Sequence, residues 1–220
     1  MIKIDNFKKS YSKNIFSNTT VAFSEKCVNF IMGKNGSGKT TLFKCIAGLE
    51  NYEGSISFDG ESINSAREKL FVLWDDTPFY PKLSGLNNVF LFSEGKVHKS
   101  DIPDIASEYI DFSLLKKPVK TYSYGQKKKL AIVLLNILKP KFILMDEISN
   151  GLDVDTMKVL EKNICELANN STLILTGHQF SFYQHIVDRV YVKTEEDLVQ
   201  VAYNKKNNIE LEKIYNEKIN

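Results

Sequence analysis

The chain has 220 residues, 43% of them hydrophobic and 25% charged, with a formal net charge of +2. That length suits one domain with room for an insertion, and the net charge is too small to argue for nucleic acid on electrostatics alone. Three widely spaced cysteines, Cys27, Cys45 and Cys165, make neither a metal-ligand pattern nor a disulfide framework and read as small buried hydrophobes in a reducing compartment.

Taken in order, Ile2, Ile4 and Phe7 predict an opening strand with alternating apolar positions, and Thr20–Phe23 a second. Met1 to Asp5 has no signal-peptide layout. Cys27–Met32 is an apolar strand that leads into a glycine-rich loop. A helix follows over Leu42–Ala47 and stops at Gly48. Gly54 to Gly60 alternates as a short strand, and Leu70–Trp74 is continuous enough for a buried one. From about residue 75 to 119 the character changes. Pro78 and Pro81 punctuate a loop, and Leu86–Phe92 and Ile105–Phe112 read as helices of an inserted subdomain.

Lys127–Leu138 is a further helix, Lys141–Asp146 a buried strand ending on a carboxylate, and Leu160–Leu167 another helix. Ser171–Thr176 is a strand ending near His178, and Val187–Val192 a last strand. The charged stretch from Asn204 reads as a solvated helix. The longest apolar run, Leu130 to Leu138, is interrupted by Asn136 and falls well short of the ~20 residues of a spanning helix. The expectation is a chain that does not itself cross a membrane. Alternating strands and helices define an α/β fold around a largely parallel sheet, whose ligands bind beyond the strands' carboxyl ends.

The loop Gly33-Lys34-Asn35-Gly36-Ser37-Gly38-Lys39-Thr40-Thr41 stands between a strand and a helix, the context a phosphate-binding loop requires. Glycines let the backbone turn tightly, successive N–H groups make an anion nest, and the helix N-terminus adds positive potential. Lys39 would reach the β- and γ-phosphates and Thr40 would ligate Mg²⁺. Asp146 at a strand end suits a hard, water-bridged cation, and the adjacent Glu147 can act as general base on water. Tyr11 either stacks on an adenine ring or packs. Lys127-Lys128-Lys129 reads as the exposed first turns of a helix. Phe79-Tyr80 and Phe90–Phe92 are either core of the insert, the favoured reading, or a groove for a partner's helix.

Five elements in one order carry a resemblance: Tyr11; the loop Gly33–Thr41; Tyr122-Ser123-Tyr124-Gly125-Gln126; Phe142–Glu147 with Asn150-Gly151-Leu152-Asp153; and His178. Together they resemble the nucleotide-binding domain of ATP-binding cassette (ABC) transporters, exporter-like, over nearly the whole chain to about Arg189. The Ser-x-Gly-Gln segment just before a helix is the specific part. The resemblance implies an α/β P-loop NTPase core with a mainly parallel central sheet, an N-terminal antiparallel β subdomain and a helical subdomain inserted at about 75–130. It implies ATP and Mg²⁺ as cofactors and ATP hydrolysis as the activity.

By resemblance, Tyr11 stacks on adenine, and the backbone of Asn35 to Lys39 with Thr40 and Thr41 holds the phosphates. Thr40 and Asp146 hold the metal, Glu147 activates water and His178 contacts the γ-phosphate. Ser123 and Gly125, in the segment closed by Gln126, contact ATP bound to a second nucleotide-binding domain paired head to tail, as a homodimer or a heterodimer, and Asp153 lies at that interface. An integral-membrane permease subunit is the implied partner, with the chain peripheral on the inner face of the cell membrane and no nucleic acid expected. Asp75 or Asp76 stands where the family usually has a metal-reaching glutamine, Tyr124 replaces a common glycine and Ile148 a frequent proline. The rival readings are a soluble ABC-type ATPase acting on nucleic acid or ribosomes, and a regulatory module that uses ATP only to dimerise.

Overall fold

The computed structural model describes residues 1–75, 79–205 and 210–219. Strands β1 (Ile2–Ser10), β2 (Asn14–Phe23) and β4 (Glu53–Phe58) form an antiparallel sheet in the order β2-β1-β4. A second sheet runs β5-β6-β7-β3-β8-β9, built from β3 (Cys27–Met32), β5 (Leu70–Leu73), β6 (Phe142–Met145), β7 (Thr172–Thr176), β8 (Arg189–Lys193) and β9 (Leu198–Val201). Its strands are parallel except β9, which pairs antiparallel with β8. The expected mixed α/β architecture, with separate parallel and antiparallel sheets, is therefore present.

The helices are α1 (Lys39–Ile46), α2 (Ile63–Ala66), α3 (Gly85–Phe92), α4 (Ile102–Ala106), α5 (Phe112–Leu115), α6 (Tyr124–Leu138), α7 (Val154–Ala168), α8 (Phe180–Tyr183) and α9 (Leu211–Ile219). The continuous apolar runs of β3, β6 and β7 follow from packing on both faces of their sheet. Phe30, Ile143 and Leu173 join one core with α6, α7 and the inserted helices. Their chain neighbours Ile31, Leu144 and Ile174 point the other way, into a second core with α1 and the antiparallel sheet.

Several local expectations are corrected. The second strand starts at Asn14, six residues early, because its pairing with β1 continues to the hairpin turn. Ile105–Phe112 is not one helix: α4 ends at Ala106 and α5 begins at Phe112. Helix α6 begins at Tyr124, since Ser123 and Gln126 form a reciprocal capping box. Helix α7 begins at Val154 because Asp153 caps it. Strand β9 was not foreseen. Helix α9 is not solvated on all sides, as Leu211 and Ile214 are buried. Cys27 and Cys45 are buried but Cys165 is exposed. Tyr80, Phe90 and Leu91 are exposed, while Phe79 packs against the core.

Candidate nucleotide site

Sheet order puts β6, β7 and β3 side by side and parallel, so their carboxyl ends open on one edge. The glycine loop, Asp146-Glu147 and His178 leave those ends and meet there. Gly38 caps α1 with φ 103°, and a Cβ at that position would overlap the Ile15 side chain, so only glycine fits. Lys39 is buried and curls over its own loop, donating to the carbonyls of Gly33 at 2.8 Å and Lys34 at 3.0 Å. Burial pulls its pKa down, against the opposing pull of Glu147 and Asp146. Ser37 Oγ is buried without a hydrogen-bond partner, an unsatisfied polar atom in a loop whose chemistry suits phosphate oxygens.

Asp146 is almost fully buried, and each carboxylate oxygen accepts a hydroxyl: Thr176 Oγ1 donates to Oδ1 at 2.6 Å and Thr40 Oγ1 to Oδ2 at 2.7 Å. No cluster of three or more His, Cys, Asp or Glu side chains suited to a metal occurs among the described residues. One buried carboxylate beside a hydroxyl fits Mg²⁺, which takes one or two protein oxygens and fills its shell with water and substrate phosphate.

Glu147 has φ 51°, a left-handed backbone rarely adopted by a non-glycine residue. Its N–H donates to the Thr176 carbonyl at 3.2 Å, and Asn150 Nδ2 donates to its Oε2 at 2.6 Å. His178 Nε2 lies 3.8 Å from Glu147 Oε1 and 3.5 Å from Lys39 Nζ. Burial, with the Lys39 ammonium next, holds His178 below the usual histidine pKa, although Glu147 opposes them. Tyr215 of α9 meets the His178 ring edge-on at 6.5 Å between centroids.

The remaining expected residues sit apart from this cluster. Tyr11 is exposed, with its hydroxyl bonded to Glu50 and Lys9 Nζ 4.7 Å from its ring centroid. A cavity of about 540 Å³ lies beside the loop, lined by Lys13, Asn14 and Ile15 on one side and Lys34, Asn35, Gly36 and Ser37 on the other. Ser123 and Gln126 cap α6. Gly125 lies so close to the Gly151 carbonyl that a Cβ would overlap it. Asp153 Oδ2 accepts from Lys129 at 2.7 Å and Oδ1 from the Thr156 N–H at 2.8 Å, and these bonds hold its carboxyl well below the usual range.

Asp75, expected near the metal, has Oδ1 engaged by Lys128 Nζ at 3.0 Å and by the Tyr124 hydroxyl. Asp76 lies outside the described residues. Lys128 corrects the reading of an exposed basic run, because its side chain is fully buried. Thr176 and Asn150 were not anticipated in the site. The signal for Thr176 was a hydroxyl at the carboxyl end of a strand whose middle is apolar; Asn150 had its place in the Asn150–Asp153 segment, three residues after Glu147.

The geometry defines a P-loop ATPase, and sequence comparison places it more narrowly. The ABC transporter family model matches residues 16–150, so the chain belongs to the ABC transporter ATP-binding proteins, which are ATPases. Lantibiotic transport ATP-binding protein SrtF of Streptococcus pyogenes is 30% identical over all of this chain and 97% of its own length. Phosphate import ATP-binding protein PstB of Saccharolobus solfataricus is 29% identical over 86% of this chain and 82% of its own. Among solved structures, an ATP-binding subunit of an ABC transporter superposes with TM-score 0.89 at 19% identity, over 99% of this chain and 98% of that one. CbiO1 of Clostridium perfringens, described as part of the ABC transporter complex cbiONQ, gives 0.77 at 22%, over 99% and 94%. At those identities the likeness is one of fold.

Proposed function

We propose that the chain hydrolyses ATP to drive a membrane transporter, working as one of two nucleotide-binding subunits that pair head to tail. The observation that carries this is the convergence of Lys39, Thr40, Asp146, Glu147 and His178 at three adjacent strand ends. In this reading the loop backbone from Gly33 to Thr41 and Lys39 hold the triphosphate, Tyr11 supplies a ring for adenine, and Thr40 and Asp146 hold Mg²⁺. Bound Mg²⁺ would neutralise charge on the phosphate oxygens. Asp75 would join the metal only by leaving Lys128 and Tyr124.

Glu147, held by Asn150, takes the proton of the attacking water. His178, kept neutral by its surroundings, lies beside Glu147 and contacts the γ-phosphate. Ser123 and Gly125, at the start of α6 near the surface, would meet the γ-phosphate held by the second subunit. Asp153 would then lie at the seam.

No helix among the described residues is long and apolar enough to cross a membrane, and in this reading a permease subunit supplies the spanning part. The apolar pocket of about 130 Å³ between Phe71, Phe79, Phe92 and Leu134 has room for a side chain of that subunit, with the chain peripheral on the inner face. The match to a lantibiotic transport protein over 97% of its length supports a lantibiotic-like cargo. The test is retention of ATP by purified protein with Mg²⁺ at millimolar nucleotide, together with co-purification of an integral membrane protein. Retention that survives Lys39→Ala undiminished, or no retention at all, would overturn the reading.

A further inference from the structure

Lys128 lies in the second turn of α6 with its side chain fully buried. A buried ammonium is costly unless its protons are matched. Here Nζ donates at 2.7 Å to the carbonyl oxygen of Glu147 and at 3.0 Å to Asp75 Oδ1, and it lies 4.6 Å from the centre of the Tyr124 ring. An apolar side chain of the same length would fill the space without that cost. The donor contact falls on the backbone of a residue held at φ 51°, a conformation that persists only where the surroundings enforce it.

The other supports of Glu147 act elsewhere. Thr176 holds its N–H and Asn150 its carboxylate, while the Asn150 N–H reaches the same carbonyl only at 3.2 Å. Asp75 follows β5 and is half exposed, so its charge needs a partner beside a phosphate site, and Lys128 supplies one.

We infer that Lys128 is a positioning residue for ATP hydrolysis: its ammonium clamps the carbonyl of the left-handed Glu147 while Asp75 keeps that ammonium aimed. The end of β5, the start of α6 and the end of β6 are thereby tied through one side chain, and the Glu147 carboxylate is held towards His178. This rests on Glu147 as the general base.

The test compares steady-state ATP turnover of wild type, Lys128→Met, Glu147→Gln and the double variant, with nucleotide affinity measured on each. Lys128→Met should lower kcat by about 10- to 100-fold, the cost of misplacing a catalytic group by around an ångström, with KM for ATP within about twofold. In the Glu147→Gln background the same change should add little, because both act through one carboxylate. If Lys128→Met turns over at the wild-type rate, if kcat and affinity fall in parallel, or if the two losses multiply, the inference fails while the general-base reading stands. If Glu147→Gln itself keeps full turnover, both fail. Should Lys128→Met not fold, Lys128→Gln, uncharged and one bond too short to reach the Glu147 carbonyl, is judged by the same split: a fall in kcat at constant KM supports the clamp, and a parallel fall or none overturns it.

Discussion

The hydroxyl of Thr40 donates to Oδ2 of Asp146 at 2.7 Å, joining the first turn of α1 to the end of β6. Thr176 takes the other oxygen. The carboxylate is thus aimed from both sides.

Removing the Thr40 hydroxyl tests that arrangement. Thr40→Val keeps the shape but loses both the donor to Asp146 and the oxygen proposed for Mg²⁺. Mg²⁺ should bind the nucleotide complex about 10- to 100-fold more weakly, the usual effect of losing a supporting contact at a metal. Mg²⁺ titration with a fluorescent ATP analogue reads this directly. An unchanged midpoint would remove Thr40 from the metal site.

Glu147→Gln keeps the size and the hydrogen bond from Asn150 but cannot accept a proton at neutral pH. Hydrolysis should fall by about 10²–10⁴, the contribution of a positioned general base, with ATP affinity retained. A phosphate-release assay beside a binding titration separates the two, and undiminished release would assign the proton to another group.

Gly125 tests the packing between the start of α6 and the loop before α7. A Cβ there would overlap the Gly151 carbonyl, and backbone cannot retreat as a side-chain tip can. Gly125→Ala should therefore destabilise the chain by about 1–3 kcal/mol, the range for overpacking. Thermal melting measures it, and an unchanged melting temperature would mean that the loop moves freely.

His178 should titrate below its ordinary value of 6.5, because burial and the Lys39 ammonium disfavour its proton more than Glu147 favours it. Between the two values the unfolded chain binds more protons, so the contribution to stability rises with pH across that window and is lost as pH falls. Imidazole resonances in an NMR titration give the midpoint, and Lys39→Ala should raise it. A midpoint at or above 6.5 in the unmodified protein would show that Glu147 dominates.

The loop, the carboxylate strand and the α/β alternation were legible because each depends on neighbours a few residues apart. A glycine-rich turn needs a strand before it and a helix after it, and Cys27–Met32 and Leu42–Ala47 display both. Capping is equally local, yet a helix over Lys127–Leu138 starts three residues too late, because the Ser123–Gln126 box lies ahead of the apolar face. Ile105–Phe112 was read as one helix because spacing alone does not reveal where a chain turns between short segments.

By itself the sequence carried the resemblance to the family, most of the strands in chain order, and candidates for phosphate, metal and proton chemistry, because a glycine-rich turn and a strand-end carboxylate are matters of residue type and short spacing. Tertiary structure alone decided that Lys128 is buried rather than solvated, that Asp75 faces an ammonium, that Tyr11 turns to Glu50 and that α9 reaches His178. Each of these pairs groups far apart along the chain, Asp75 and Lys128 by 53 positions. Such a meeting is set by how helices and strands stack, which no local pattern encodes.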